Sequence, residues 1–166
     1  RNPDKSRRSQ KQSLHPRRDI IDHLDPGFDL TQYPNLVSFD AYHTPSLKSV
    51  DLSNSKKLQT ISLEMTSVES VDFSKCPLLG HVNVSETRLT SLDVSMLSHL
   101  QRLLCTHTSG SINTDIKLNA LDLTHNPDLF YLAAQGNNLT SIDLTKNPEL
   151  TNLYLQDNLS ELDLSN

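Results

Sequence analysis

A four-residue pattern, apolar–Asp–apolar–Ser/Thr, recurs seven times along the chain. Its aspartates are Asp29, Asp51, Asp72, Asp93, Asp122, Asp143 and Asp163. Most copies are 20 to 22 residues apart, and the interval of 29 between Asp93 and Asp122 indicates an insertion of eight residues. Self-similarity at a fixed short period is typical of solenoids, in which each repeat is one structural unit.

Each repeat has two halves, and both place apolar residues in the order L-x-x-L-x-L. The unit that starts at Leu47 has its apolar positions at Leu47, Val50, Leu52, Leu58, Ile61 and Leu63. The alternation inside L-x-L predicts a short strand whose alternate side chains point inward. Because one unit cannot bury its inner face alone, the units must stack, with a strand spacing of about 4.8 Å. We therefore predict a mainly β, right-handed solenoid with two short strands per turn and little helix.

The corners between the strands carry turn-forming residues. Proline follows the first strand of four units, as in Cys76-Pro77 and Asn126-Pro127, and it cannot continue a ladder. One column after the second strand is made of Thr and Asn: Thr44, Thr66, Thr87, Thr108, Asn137 and Asn158. We expect these side chains to satisfy the backbone groups of the corners.

The complete repeat resembles the short-period leucine-rich repeats of bacterial proteins, about 21 residues long and common in Bacteroidetes surface proteins. The closest match runs from Leu150 to Asn158 and on from Leu159 to Asn166, and the resemblance covers residues 25–166. One departure is that Thr replaces Asn in the first four turns. The resemblance implies a leucine-rich-repeat solenoid that is exposed at the cell surface, often as a lipoprotein, and that binds proteins or glycans.

Charge and residue pattern together divide the chain into three regions. Residues 1–18 contain seven basic side chains and one acidic side chain, and we assign them to a basic arm or linker. Residues 19–27 are predicted to form an N-terminal cap, with a short helix over Asp19–Leu24 that Pro26-Gly27 ends. Residues 28–166 form the solenoid, which we expect to be truncated at its C-terminal end because the sequence stops half-way round a turn.

The remainder of the chain, residues 19–166, has eight basic and nineteen acidic side chains and a net charge of -11. Phosphates would meet a repulsive field, so nucleic acid is not an expected partner. No apolar run approaches the length of a membrane span. We expect an extracellular or outer-membrane location with a possible membrane tether upstream of residue 1, and the alternative is a cytoplasmic protein.

Side chains with potential chemistry are predicted to be structural. Cys76 and Cys105 fall in different parts of neighbouring turns, so free thiols are expected. The aspartate column should be held by hydrogen bonds to corner amides and to Ser or Thr hydroxyls. His43 and His107 lie three turns apart, too far to share a metal ion. We predict no enzyme activity, no metal and no cofactor, since no catalytic motif is present.

The best candidate for a binding site lies on the face of the second strands, in the C-terminal half. The patch is predicted to contain Arg102, Leu104, His107, Tyr131, Ala133 and Tyr154. Aromatic residues and Arg are enriched at binding hot spots, and exposed apolar clusters often mark contacts. The insertion, within Ser109–Lys117, could form a wall beside this patch. The alternative is that Leu104 is buried under that loop and the patch is only a surface irregularity.

Two functions are compatible with these features. The first is a non-enzymatic recognition module that binds a protein or glycan partner at the bacterial cell surface. The second is a structural or assembly subunit that interacts through its N-terminal arm and through the open C-terminal edge of the solenoid, because an unpaired strand associates readily.

Overall fold

The computed structural model describes residues 13–14, 27–108, 116–156 and 161–163. These residues form a coil of short parallel strands with one single-turn 3-10 helix at Leu30–Gln32. The strands are β1 (Ser13–Leu14), β2 (Gly27–Asp29), β3 (Ser38–Asp40), β4 (Ser49–Asp51), β5 (Thr60–Ser62), β6 (His81–Asn83), β7 (Arg102–Leu104), β8 (Tyr131–Ala133), β9 (Ser141–Asp143), β10 (Asn152–Tyr154) and β11 (Glu161–Asp163). The predicted mainly β solenoid with little helix is confirmed.

One face of the coil is a continuous sheet of seven parallel strands, which we call the main sheet, in the order β1-β3-β5-β6-β7-β8-β10. From β3 onwards it contains the second strand of each turn, as the sequence predicts. Its register aligns Thr60, His81, Arg102, Tyr131 and Asn152 in one row across the strands. The parallel row, two residues further along each strand, contains Ser62, Asn83, Leu104, Ala133 and Tyr154.

The opposite face, on which the aspartates lie, is less regular than predicted. It has only the pairs β2–β4 and β9–β11 among the described residues, so the prediction of two strands in every turn is wrong at 71–73, 92–94 and 121–123. Neighbouring turns still meet at the start of this face, where Arg88 N donates to Val68 O at 2.9 Å. The bond from Glu69 N to Lys48 O is already 3.4 Å long, at the outer limit of a hydrogen bond. The turns therefore separate too far here for a continuous ladder.

The interior is filled by the apolar columns that the repeat defines. In each of the five units from Leu47 to Leu155, all six repeat positions are buried or pack against the buried cluster. Phe39, Leu58, Leu79, Leu100 and Leu129 are among the residues with no more than 1% exposure. Stacking thus buries the apolar side chains that a single turn would leave exposed to water, and this burial is the main contribution to the stability of the fold.

Three members of the predicted corner column, Thr66, Thr87 and Asn137, bond to the corner backbone as predicted. The Thr108 hydroxyl donates to Glu86 instead, and the buried Thr44 hydroxyl has no hydrogen-bond partner among the described residues. Thr66 Oγ1 donates to Leu63 O and Thr87 Oγ1 donates to Val84 O, each at 2.7 Å. Asn126 and Asn147 form a second column that is fully buried. Each of them donates through Nδ2 to two carbonyl oxygens of the preceding turn, at 2.8 to 3.0 Å. These amides link successive turns where the backbone has no ladder.

Gly136 is required by the corner that follows β8. Its φ is +74°, and a Cβ atom placed there would lie 1.7 Å from the carbonyl oxygen of His107. The equivalent corners use His43, Met65 and Glu86, all with φ between 56° and 58°. A left-handed residue thus recurs at four of the described corners, and among these four only Gly136 also has no room for a side chain.

Parts of the predicted arm and cap have counterparts in the structure. Ser13 and Leu14, from the predicted arm, pair with β3 and extend the main sheet at its N-terminal edge. Gly27, the last residue of the predicted cap, is the first residue of β2. The cap helix over Asp19–Leu24 and most of the insertion lie outside the described residues. In the part of the chain that the structure covers, no helix has the length and apolarity needed to cross a membrane.

Candidate functional site

Three residues of the predicted patch stack on one another across the main sheet. Arg102, in β7, places its guanidinium carbon 4.5 Å from the ring centroid of Tyr131, in β8. The ring of Tyr131 lies 5.5 Å from that of Tyr154, in β10, at an interplanar angle of 43°. The first contact has the geometry of a cation–π interaction, and the second is a tilted aromatic pair. We call these three residues, together with Leu104, the tyrosine patch.

The tyrosine patch is accessible from solvent. Tyr154 is 43% exposed, and Arg102, Leu104 and Tyr131 are half-buried. Ala133 lies between Leu104 and Tyr154 in the register but is only 4% exposed. Its methyl group is too short to reach past its larger neighbours, so Ala133 forms the floor of the patch and is not the surface contact that we predicted.

The predicted outward position of His107 is wrong. Its side chain is only 5% exposed, Nε2 is 3.2 Å from Thr87 O, and its amide donates to Gln135 O. Strict periodicity places it with His43, Met65, Glu86 and Gly136, all of which have positive φ, but His107 is not among the described residues with positive φ. The backbone conformation of this corner, just before the insertion, therefore differs from that of the equivalent corners, and the imidazole of His107 points inward.

Asn137 ties together the two ends of the insertion. Its Nδ2 donates to Cys105 O at 2.7 Å and to Ala134 O at 2.9 Å, while its Oδ1 accepts from Leu118 N at 3.0 Å. Cys105 precedes the insertion and Leu118 follows it. Residues 109–115 lie outside the described residues, so the predicted wall beside the patch and the alternative burial of Leu104 both stay predictions.

The outer surface of the main sheet forms a strip without carboxylates in an acidic protein. From β5 onwards, neither outward row of the register contains an Asp or Glu. Asp40 of β3 continues one of these rows beside Ser62. At the corners, Glu64 accepts from Asn83 Nδ2 at 2.7 Å and Asp128 lies 3.2 Å from His99 Nδ1. Among the residues of these two rows, the only Lys or Arg is Arg102 and the only His is His81. The strip therefore has a single permanently charged side chain.

Sequence reasoning missed a cleft beside this strip. The cleft has a volume of about 270 Å³ and is centred on Gly80, with Gln59 and Gln101 on either side of it. Thr60 and His81 line the side nearest the strip, and Leu78 and His99 line the other side. The signal that could have revealed it is Gly80 itself, because the same position in other turns is occupied by Gln59, Gln101, Phe130 and Thr151.

The aspartates on the opposite face accept hydrogen bonds from their own corners, as predicted. Asp72 accepts from Ser74 N at 2.8 Å, and the same bond recurs at Asp51, Asp93, Asp122 and Asp143. In Asp72 and Asp122 this backbone bond is the main cause of a lowered pKa, followed by the hydroxyl bond of the same partner. In Asp93 the Ser95 hydroxyl lowers the pKa most.

Metal-binding or reactive groups do not accompany these aspartates. The described residues contain no cluster of three His, Cys, Asp or Glu side chains that could hold a metal ion. Cys76 and Cys105 are buried free thiols, as the repeat predicts. Burial raises the pKa of Cys76 to about 11, and the charge of Asp72 contributes to the rise. A thiol with such a pKa is a poor nucleophile.

Comparison with known proteins supports the fold. No protein-family model and no curated protein matches the sequence. Internalin C2 of Listeria monocytogenes is 15% identical over 83% of this chain and 70% of its own, with a TM-score of 0.60. A leucine-rich-repeat protein of Leptospira interrogans is 16% identical over 77% of this chain, with a TM-score of 0.55. A TLR13–ssRNA13 complex contains a protein that is 17% identical over 82% of this chain, with a TM-score of 0.61.

These similarities show that the chain has the leucine-rich-repeat solenoid fold. The chain spans only 39% of the Leptospira protein and 20% of the TLR13 protein. At such identities the shared feature is the fold, and the ligand has to be inferred from the surface of this chain.

Proposed function

We propose that this protein is a non-enzymatic recognition module that binds a partner, foremost a protein, through the tyrosine patch of the main sheet. The observation that carries the proposal is the stack of Arg102, Tyr131 and Tyr154 on an open sheet face. Tyr and Arg are enriched among residues that dominate binding energy. Stacking also holds their side chains before the partner arrives, which lowers the entropic cost of binding.

The charge distribution favours a partner other than nucleic acid. RNA appears in the name of the TLR13 complex, but the described outward rows of this main sheet offer one Arg and no Lys from β5 onwards. The body that surrounds the strip has a net charge of -11 over residues 19–166. Nucleic-acid binding depends on several basic contacts to phosphates, which this face does not provide.

The proposed location is the outer surface of a bacterium. It is supported by the two solved bacterial proteins of similar fold, from Listeria monocytogenes and Leptospira interrogans. The second candidate function is assembly through the sheet edges. β1 pairs with β3 within the chain and covers this edge of the main sheet, so assembly here would require exchange of β1 between two copies.

The test of the recognition proposal is the double substitution Tyr131→Ala/Tyr154→Ala. The chain is screened against arrays of secreted and surface proteins and of glycans, and affinities are measured for the partners that bind. We expect the double variant to melt at nearly the same temperature and to lose at least tenfold in affinity, as hot-spot truncations do. The matched control is Tyr42→Ala, which removes a tyrosine that is 51% exposed but lies outside the patch. Unchanged binding by the double variant would place the site elsewhere and favour assembly through the edges.

A further inference from the structure

The cleft at Gly80 exists because one side chain is absent. The register aligns β5, β6 and β7, and the residue before each strand is Gln59, Gly80 and Gln101, respectively. Two long side chains therefore stand on either side of a position that has none. The result is a depression of about 270 Å³ that is open to solvent. This volume lies just below the range of about 300–1,000 Å³ that is typical of small-molecule sites, and it suits one small ring rather than a larger ligand.

The backbone does not require glycine at position 80. Unlike Gly136, Gly80 does not have a left-handed φ. A Cβ atom added to it would meet His99 O at 3.4 Å and Gln101 Oε1 at 4.0 Å, which are ordinary van der Waals contacts. The fold would accept a side chain at this position, as it does at Gln59 and Gln101. What glycine contributes here is space.

The polar groups that line the cleft are amide, hydroxyl and imidazole groups. Gln59 and Gln101 supply amides, Thr60 supplies a hydroxyl, and His81 and His99 supply imidazoles. These groups include both donors and acceptors, and none of the lining residues is Asp, Glu, Lys or Arg. A charged ligand would lose hydration here without forming an ion pair with an Asp, Glu, Lys or Arg side chain of the lining.

The backbone at the floor of the cleft is already paired. The amides of Gly80 and His81 both donate to Gln59 O at 3.0 Å, and Gln101 N donates to Gly80 O at 2.8 Å. An extended peptide recognised through its main chain would need unpaired sheet groups, and these three amides are committed to neighbouring strands. Ligand contacts must therefore come from the side chains.

Two further features shape the ligand that fits. Leu78 is 47% exposed and gives one wall of the cleft an apolar surface. His99 is held by Asp128 through Nδ1, at 3.2 Å, so its ring is oriented before a ligand arrives. A ring that has hydroxyl groups around its edge and C–H groups on its faces would match both the polar groups and the leucine.

We propose that the Gly80 cleft is a subsite for one uncharged sugar residue of a glycan. Sugar hydroxyls donate and accept at the same atom, as the mixed amide, hydroxyl and imidazole lining requires. The ring face packs against Leu78, and Gly80 provides the room. The subsite uses none of the residues of the tyrosine patch, so it stands or falls independently of the function proposed above.

The experiment is saturation-transfer NMR on the full chain with glucose, galactose, mannose and N-acetylglucosamine, each at tens of millimolar. At least one of these sugars is expected to bind the unmodified chain. Gly80→Gln restores the side chain of the neighbouring turns and should reduce the sugar affinity at least tenfold, with a melting temperature equal to or above that of the unmodified chain. Gln59→Ala/Gln101→Ala keeps the space but removes the amides, and it should also lose binding.

Tyr131→Ala/Tyr154→Ala is the matched control and should bind the sugar as the unmodified chain does. Loss of partner binding with retained sugar binding in this variant would separate the two sites. The subsite proposal is overturned if none of the four sugars binds, if binding survives in Gly80→Gln, or if glucuronate binds more tightly than the neutral sugars.

Discussion

At the residue scale, each repeated aspartate closes the corner that follows it. The carboxylate of Asp93 accepts from the amide and the hydroxyl of Ser95, at 2.9 and 2.7 Å. Asp122 repeats the pair with Thr124, one turn further on. These bonds offset the repulsion between stacked carboxylates. The charge of Asp122 raises the pKa of Asp93, but the hydrogen bonds from Ser95 lower it by more. The Asp–x–Ser/Thr spacing thus forms a turn in which the Asp carboxylate accepts the hydrogen bond in place of a backbone carbonyl.

The aspartate column predicts how stability depends on pH. The pKa values of Asp29, Asp72, Asp93 and Asp122 lie below their ordinary value of 3.8 in the folded chain, chiefly because of corner hydrogen bonds. Their contribution is therefore fully present above about pH 4 and is lost as the pH falls through the lower folded values. Thermal melts from pH 6 to pH 2.5 should show a loss that is smaller when all four residues are changed to Asn.

Asn keeps the acceptor oxygen of these corners but removes the charge, so the comparison isolates titration. Asp93→Ala removes the acceptor as well and should cost about 1 kcal/mol in the free energy of unfolding at neutral pH. An identical acid loss in the fourfold Asn variant and the unmodified chain would show that other carboxylates are responsible.

At the element scale, buried amides add to the strands in holding successive turns together. The sequence predicted the position of every strand of the main sheet from β3 to β10, because alternation inside L-x-L is a local property. It did not predict the loss of strands at 71–73, 92–94 and 121–123, because the separation of turns depends on how whole turns stack. The inward turn of His107 was missed for a similar reason, since periodicity does not hold next to an insertion.

Asn137 differs from the other buried amides because it bonds to residues on both sides of the insertion. Asn137→Ala would leave Cys105 O and Leu118 N without this partner in a buried corner, so we expect a cost of about 2–3 kcal/mol in the free energy of unfolding. The neighbouring Asn138 is exposed. Asn138→Ala is the matched control and should change stability by less than about 0.5 kcal/mol. Equal effects of the two substitutions in urea unfolding would contradict the role assigned to Asn137.

At the scale of the whole molecule, the two faces of the solenoid differ in what they offer a partner. The aspartate face uses its polar groups on its own corners, whereas the main sheet presents Tyr154 and Arg102 without a carboxylate between them. The repeat period alone placed Arg102 and Tyr131 in one row and Tyr154 in the parallel row on the next strand, because residues one repeat apart must lie on adjacent strands. The repeat period did not predict the Gly80 cleft, because a cavity depends on the volumes of all the side chains around it.

The most direct test of the claim that the main sheet is the recognition face is site-specific photo-crosslinking. A photoreactive amino acid replaces Asn152 on β10 in one variant and Ser141 on β9 in the other, and both residues are exposed. Each variant is illuminated with the partner bound, and cross-linked mass is measured. The main-sheet assignment predicts a cross-linked product from position 152 and none from position 141. A product from position 141 alone, or equal yields from both positions, would contradict it.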